Sequence, residues 1–173
     1  MEIELKQKMA HSIAKFHLPR YGEVPNMGLY LEQTTRYINS VLEPLGYIEI
    51  TNSMISNYVK KGLVASPVKK QYNANQIIHL IVIAILKNVV SLENISELFV
   101  RQIKIYTDEV AYDYFCQELE NMLQFQFGLK DSVEDVGVTS SFEKKMLRSA
   151  IIAVAHMIYL NSCFKIISEK SNA

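Results

Sequence analysis

Residues 51–72 read TNSMISNYVKKGLVASPVKKQY, and the rest of the chain can be placed from them. Thr51 can accept a hydrogen bond from a free amide of the turn that follows, which makes it a helix N-cap. In the helix it starts, Ile55 and Val59 share a face with Met54 and Tyr58 beside them, whereas Ser53, Ser56, Asn57 and Lys60 point largely elsewhere. Gly62 stops the helix after Lys61. LVASPVKKQY then offers two short extended pieces about a turn at Pro67, with Lys69, Lys70 and Gln71 between Val68 and Tyr72. A polar-faced helix at 52–61 followed by a basic extended segment at 65–72 is the outline of a recognition helix and a minimal wing.

Working outward, Leu31, Tyr37, Ile38, Val41, Leu42 and Leu45 follow helical spacing up to a stop at Gly46, which predicts the first helix of a helix-turn-helix pair. A short link, Tyr47 to Ile50, joins the two. On the other side, Asn73 and Gln76 form a capping box for a helix running to about Asn88 that is apolar nearly all round and is expected to be the centre of the core. Ser91 caps a further helix, SLENISELF, with Leu92, Ile95, Leu98 and Phe99 inward.

The flanks are helical too. Leu5, Met9, Ile13 and Phe16 predict an amphipathic N-terminal helix, and FHLPRYGEVPNMGLY, broken by Pro19, Gly22, Pro25 and Gly28, predicts a connecting loop. Thr107 caps a helix to Gln126 with Val110, Ala111, Tyr114, Phe115, Leu119, Met122 and Phe125 on one face and Gly128 closing it. LKDSVEDVGVTS is an acidic loop, Ser140 and Glu143 form another capping box, and the last helix runs from Phe142 to about Ser168, about 40 Å. The fold class is therefore all-α with a minimal β wing. Residues 1–30 form an N-terminal helix and loop, 31–102 the helix-turn-helix core, and 103–173 a helical dimerisation or effector region.

With 173 residues, 49% of them apolar and 21% charged, the chain suits one sizeable core. Its net charge is zero, but the charges are unevenly placed. Between Ile50 and Leu92 lie Lys60, Lys61, Lys69, Lys70 and Lys87 with no Asp or Glu, so this segment is +5 and the remainder, with 13 basic and 18 acidic residues, is −5. Such a zone is either a phosphate-contacting face or a solvated surface rich in lysine. The N-terminus lacks a secretory pattern, and the apolar runs Ile77–Leu86 and Ala150–Leu160 fall short of the ~20 residues of a bilayer-spanning helix, so a cytoplasmic protein without a membrane partner is expected. Cys116 and Cys163 lack metal or CxxC spacing and are expected as free buried thiols.

ITNSMISNYVKKGLV (50–64) resembles the recognition helix of MerR-type regulators, with Ile50, Ile55, Tyr58, Gly62, Leu63 and Val64 on matching positions. Pro67, Lys69, Lys70, Tyr72, the capped helix at Asn73 and SLENISELF resemble that family's wing and following helices. SMISNYVKKGLVASPVKKQY, with LPRY (18–21) and LIVIAILK (80–87), more closely resembles a bacterial family catalogued as a domain of unknown function (1836), over about residues 18–100 and loosely beyond. The resemblance implies that Ser53, Ser56, Asn57 and Tyr58 face DNA and that Lys69 and Lys70 meet phosphates. The chain departs from the MerR pattern in having Ser53 and Ser56 where arginines are typical, a wing several residues shorter, and no metal-binding cysteines.

No catalytic constellation is legible. His11, His17, His79 and His156 have no nucleophile or acid partner at local spacing, and His79 and His156, within apolar helices, are expected as hydrogen-bonded core residues. Asp108, Glu109, Asp113, Glu118 and Glu120 suggest a solvated helix face. Tyr106, Tyr112, Tyr114 and Phe115 could line an effector pocket, although core packing accounts for the last two. The expectation is a non-enzymatic, cofactor-free and metal-free transcriptional regulator that binds duplex DNA as a homodimer. Ser53, Ser56 and Asn57 would lie near base edges and Tyr58, Lys60, Lys69 and Lys70 on phosphates, with Lys61 part of the same contact surface. The alternative is a protein-interaction module that keeps the helix-turn-helix core and holds a partner with its C-terminal helices. A small-molecule effector remains compatible with the first reading.

Overall fold

The computed structural model describes residues 2–46, 48–137 and 140–171; Tyr47 of the predicted link and residues 138 and 139 of the predicted acidic loop lie outside them. Among the described residues seven α-helices and a two-stranded antiparallel sheet form the fold. The helices are α1 (Glu2–Ile13), α2 (Leu31–Leu42), α3 (Asn52–Lys60), α4 (Ala74–Leu86), α5 (Leu92–Gln102), α6 (Asp108–Gln126) and α7 (Phe142–Ser171), and the strands are β1 (Leu29–Tyr30) and β2 (Gln71–Tyr72). The all-α expectation holds.

α4 lies at the centre. Its capping box closes as the sequence predicts, with Gln76 N 3.2 Å from Asn73 Oδ1 and Asn73 N 2.7 Å from Gln76 Oε1. Beyond the cap, Ile77, Ile78 and every residue from Leu80 to Leu86 are buried, which a helix can only do when neighbours cover it on all sides. α2, α5 and α7 supply that cover. Each fully buried Ile or Leu contributes about 1.5–3 kcal/mol of transfer free energy, so this helix carries a large share of the core. One buried cluster runs from Met9 through α2, α4 and α6 to Ile166 and draws on all three segments distinguished in the sequence.

Several boundaries move. The predicted helix from Leu31 to Leu45 ends at Leu42 and tightens into a 3-10 turn, Glu43–Leu45, before Gly46 at φ +81°. Ser141, rather than Ser140, caps α7, with Lys144 N 3.1 Å from its Oγ. Val110 and Phe125 are exposed at the edge of α6 and do not join its inner face. The larger correction concerns the N-terminal loop: β1 lies within it and pairs with β2 in the register Leu29↔Tyr72 and Tyr30↔Gln71. The wing strand therefore pairs with a segment far before it in sequence, not with Leu63 and Val64.

The loop is anchored at its other end as well. Leu18 is fully buried, its N–H donates to Glu120 Oε1 on α6 (2.8 Å), and Tyr21 N donates to Asp113 Oδ1 (2.7 Å). Tyr21 Oη donates to Asn75 Oδ1 at the start of α4 (2.8 Å).

α7 pairs along α6 through Ile151, Val154, Ala155 and Ile158, all buried. It is also long and apolar enough to cross a membrane by length and composition, with mean hydropathy 1.7 over an 18-residue window. This corrects the sequence reading, in which the run Ala150–Leu160 falls short of that length. Only 28% of that window is buried, and Leu160, Phe164 and Ile167 stand exposed.

Candidate nucleic-acid interface

α3 is set by its cap and by its neighbours. Thr51 Oγ1 accepts from Met54 N (3.2 Å), as the sequence predicts. The extended residues before it are held by Asn39 of α2, whose Nδ2 donates to Ile50 O and whose Oδ1 accepts from Ile50 N, both at 2.8 Å. Thr35 Oγ1 lies 2.5 Å from Asn52 Oδ1. These contacts fix the angle at which α3 leaves α2, the geometry a helix-turn-helix depends on.

Within α3, Ile55 and Tyr58 are buried one turn apart, while Ser53, Ser56, Asn57 and Lys60 are exposed on the opposite side with Lys61 just beyond. Tyr58 therefore does not face outward, contrary to the expectation that it would contact phosphates. Three residues after Ile55, it falls on the same face, and burial pushes its phenol pKa up. It belongs to the core.

The helix ends in a Schellman arrangement. Gly62 takes φ +74°, Leu63 N donates to Tyr58 O and Gly62 N to Val59 O, both at 3.0 Å. Gln76, almost fully buried in the first turn of α4, then donates from Nε2 to Ala65 O (3.0 Å) and Ser66 O (2.9 Å), which ties the wing's approach to the core. The capping glutamine read from the sequence thus has a second task that local spacing could not reveal.

The wing tip is a two-residue turn. Val68 and Gln71 exchange backbone hydrogen bonds of 3.1 and 2.9 Å, and between them Lys69 and Lys70 adopt φ +50° and +65°. Left-handed backbone at both central positions is the pattern for which Asn-Gly is the favoured sequence. Gly28, just before β1, takes φ +87°, a backbone on which any side chain is strained, and an added Cβ would also press on Gln71 Cβ at 3.2 Å.

Among the described residues the side chains of Lys60, Lys61, Lys69 and Lys70 have no ion pair or hydrogen bond, and all four are exposed. Lys87, counted with them in sequence, differs. Its Nζ donates to Glu49 O (2.9 Å) beside Met54 Sδ, and burial lowers its pKa, so it ties α4 to the entry of α3 instead of facing out. The outward basic group is four lysines.

Of the acidic residues of α6, Glu109 is exposed as expected, and the other four depart from the solvated face. Glu118 is fully buried and accepts from Arg148 Nε (2.8 Å); Glu120 receives Arg20; Asp113 receives Tyr21 N; Asp108 lies 3.2 Å from His79 Nε2. Their partners come from distant parts of the chain, out of reach of local pattern. His79 is partly buried, bonded to Asp108 and stacked on Phe99 at 4.7 Å, whereas His156 is exposed, not a core histidine. Among the described residues no group of three His, Cys, Asp or Glu is placed to hold a metal ion. Tyr106, Tyr112, Tyr114 and Phe115 do line one cavity together.

The family model described as "Domain of unknown function (DUF1836)" matches residues 19–122, from the LPRY segment through most of α6. No curated protein and no solved structure matches the chain.

Proposed function

We propose that this chain, which belongs to the DUF1836 family, a domain of unknown function, is a regulator that binds duplex DNA through α3 and the wing in a MerR-like manner. The observation that carries the reading is the wing tip. Two lysines occupy adjacent left-handed positions, each costing about 1–2 kcal/mol relative to residues suited to that backbone, in a turn where Asn-Gly is the favoured pair. Strain of this kind persists where a side chain is needed, and long, unpaired cations at the end of a hairpin suit phosphates. The exposed polar face of α3 supports the same reading, with Ser53, Ser56 and Asn57 available to base edges and Lys60 and Lys61 to the backbone. So does the order of elements: a helix, a recognition helix, a hairpin, a capped helix and the SLENISELF helix. Tyr58 plays no part in contact.

Serines in place of arginines leave most of the affinity to the lysines, so binding should be strongly salt-dependent. A random-sequence duplex titrated by fluorescence anisotropy across a salt series tests this. Binding is expected at low salt, and Lys69→Ala/Lys70→Ala should flatten the log K against log salt slope by about 2, since each neutralised phosphate contributes ~0.9 to that slope. No binding at low salt, or an unchanged slope, overturns the reading.

The apolar residues exposed on α7, Leu160, Phe164 and Ile167, favour a second role for that helix as the surface that joins two copies. If nuclease-treated protein instead captures a different protein stoichiometrically through that face while DNA binding is absent, the interaction-module reading takes precedence.

A further inference from the structure

A cavity of about 280 Å³ lies between α4, α5, α6 and α7. Ile78 and Val82 of α4, Ile95 and Leu98 of α5, Phe115 of α6 and Leu147 of α7 contribute apolar side chains to its wall. Packed interiors leave few voids larger than a water molecule, whereas small-molecule sites begin at about 300 Å³. This space belongs with the second class. Its rim includes the exposed Val110 and Gly137, which leaves a way in.

The polar groups of the wall are already matched to one another. Asp108 Oδ1 is 3.2 Å from His79 Nε2 and 3.5 Å from Gln102 Nε2, and Glu143 Oε1 is 3.8 Å from Arg101 Nη1. Tyr106 Oη donates to Ser141 Oγ (3.1 Å). Lys144 Nζ donates to Gly137 O (3.2 Å) and lies over the Tyr114 ring, 5.2 Å from its centre. Among the described residues Lys144 is the lining cation without a carboxylate beside it, and it is engaged by Gly137 O and the Tyr114 ring; an ion entering the apolar interior would lose its hydration. Two lining tyrosines are exceptions: the Tyr112 hydroxyl is buried without a hydrogen-bond partner among the described residues, and Tyr114 is alike. Burial pushes the pKa of Tyr114 up to about 12, so it stays protonated.

We propose that this cavity is a binding site for a small, uncharged, largely apolar molecule carrying one hydrogen-bonding group. The apolar wall supplies affinity, and the unpartnered hydroxyls of Tyr112 and Tyr114 are the groups left to read the polar end. The site stands independently of the DNA reading, because none of its residues lies on α3 or the wing.

N-phenyl-1-naphthylamine, neutral and apolar with a single N–H, is a suitable probe for the full chain. Saturable one-to-one binding with a rise in fluorescence is expected, with methyl shifts at Ile78 and Ile95 and none at the exposed Ile3 and Leu160. Filling the space from two sides, with Val82→Phe and separately Leu98→Trp, should weaken binding by roughly tenfold or more while the helical spectrum is retained. Absence of saturable binding, shifts confined to Ile3 and Leu160, or undiminished binding in a folded filled variant would each overturn the proposal. If neither variant folds, the methyl shifts of the wild-type protein decide.

Discussion

Arg20 and Glu120, a hundred residues apart, meet in a two-pronged pair, with Nη1 2.8 Å from Oε1 and Nη2 2.7 Å from Oε2. Glu120 Oε1 also accepts from Leu18 N, and Arg20 Nη1 donates back to Leu18 O at 2.9 Å. The pair is largely sheltered, with side-chain exposures of 29% and 14%, and the carboxylate holds the Arg20 guanidinium pKa above its ordinary value. It fastens the LPRY segment to α6.

Glu120→Ala should therefore destabilise the protein by about 2 kcal/mol, less than the ~3–5 expected when a fully buried pair is broken, because some solvent reaches Arg20. Urea denaturation of Arg20→Ala, Glu120→Ala and the double variant gives the coupling. A coupling indistinguishable from zero would mean that the pair is held by packing alone.

Glu118 and Arg148 join α6 to α7 in a more one-sided way, since Glu118 is fully buried and Arg148 is 40% exposed. Arg148→Ala leaves a carboxylate without its cation and should cost about 3 kcal/mol, whereas Glu118→Leu/Arg148→Met should recover most of the loss. Thermal melting of the three proteins checks this; an Arg148→Ala protein as stable as wild type would contradict it.

What the sequence made legible follows the range of the forces involved. Caps at Thr51, Asn73, Ser91 and Thr107 depend on residues three apart, and all four form as read. The burial of α4 was readable because its composition leaves no polar side. Tyr58 was misplaced because family resemblance outweighed its spacing from Ile55. The pairings of Glu118, Glu120 and Asp108 and the strand at Leu29–Tyr30 need partners from distant parts of the chain, and no local pattern carries them; of the cavity, the aromatic wall from Tyr106 to Phe115 is legible and the walls from α4, α5 and α7 are not.

The wing tip sets stability against contact. Lys69→Asn/Lys70→Gly places the favoured pair on left-handed backbone and should raise stability by about 2 kcal/mol, while duplex binding falls by the loss of two cations. Calorimetry and anisotropy on the same variant separate the two effects. A variant that is both less stable and equally competent for DNA would remove the case for strain retained for function.

The two cysteines should differ in reactivity. Cys116 is fully buried, and burial pushes its pKa up to about 12, so at pH 8 it holds almost no thiolate; Cys163 is only half-buried, its Sγ 3.7 Å from Met9 Sδ. Titration with a disulfide reagent should modify Cys163 first in the native protein, with Cys116 following only on unfolding. Equal rates would show that α6 opens readily.

The segment from Leu18 to Leu29 is clamped at both ends, by Glu120 at its start and by Tyr72 at its close. A tether held at two fixed points can exchange side chains between them but cannot change its span. Its length, more than its composition, is thus what the fold constrains: a single residue inserted after Met27 would shift β1 by one position against β2 and exchange the inward Leu29 with the outward Tyr30. Loss of cooperative unfolding in such an insertion variant, set against tolerance of Met27→Ala at the same place, would distinguish a strap of set length from an ordinary loop.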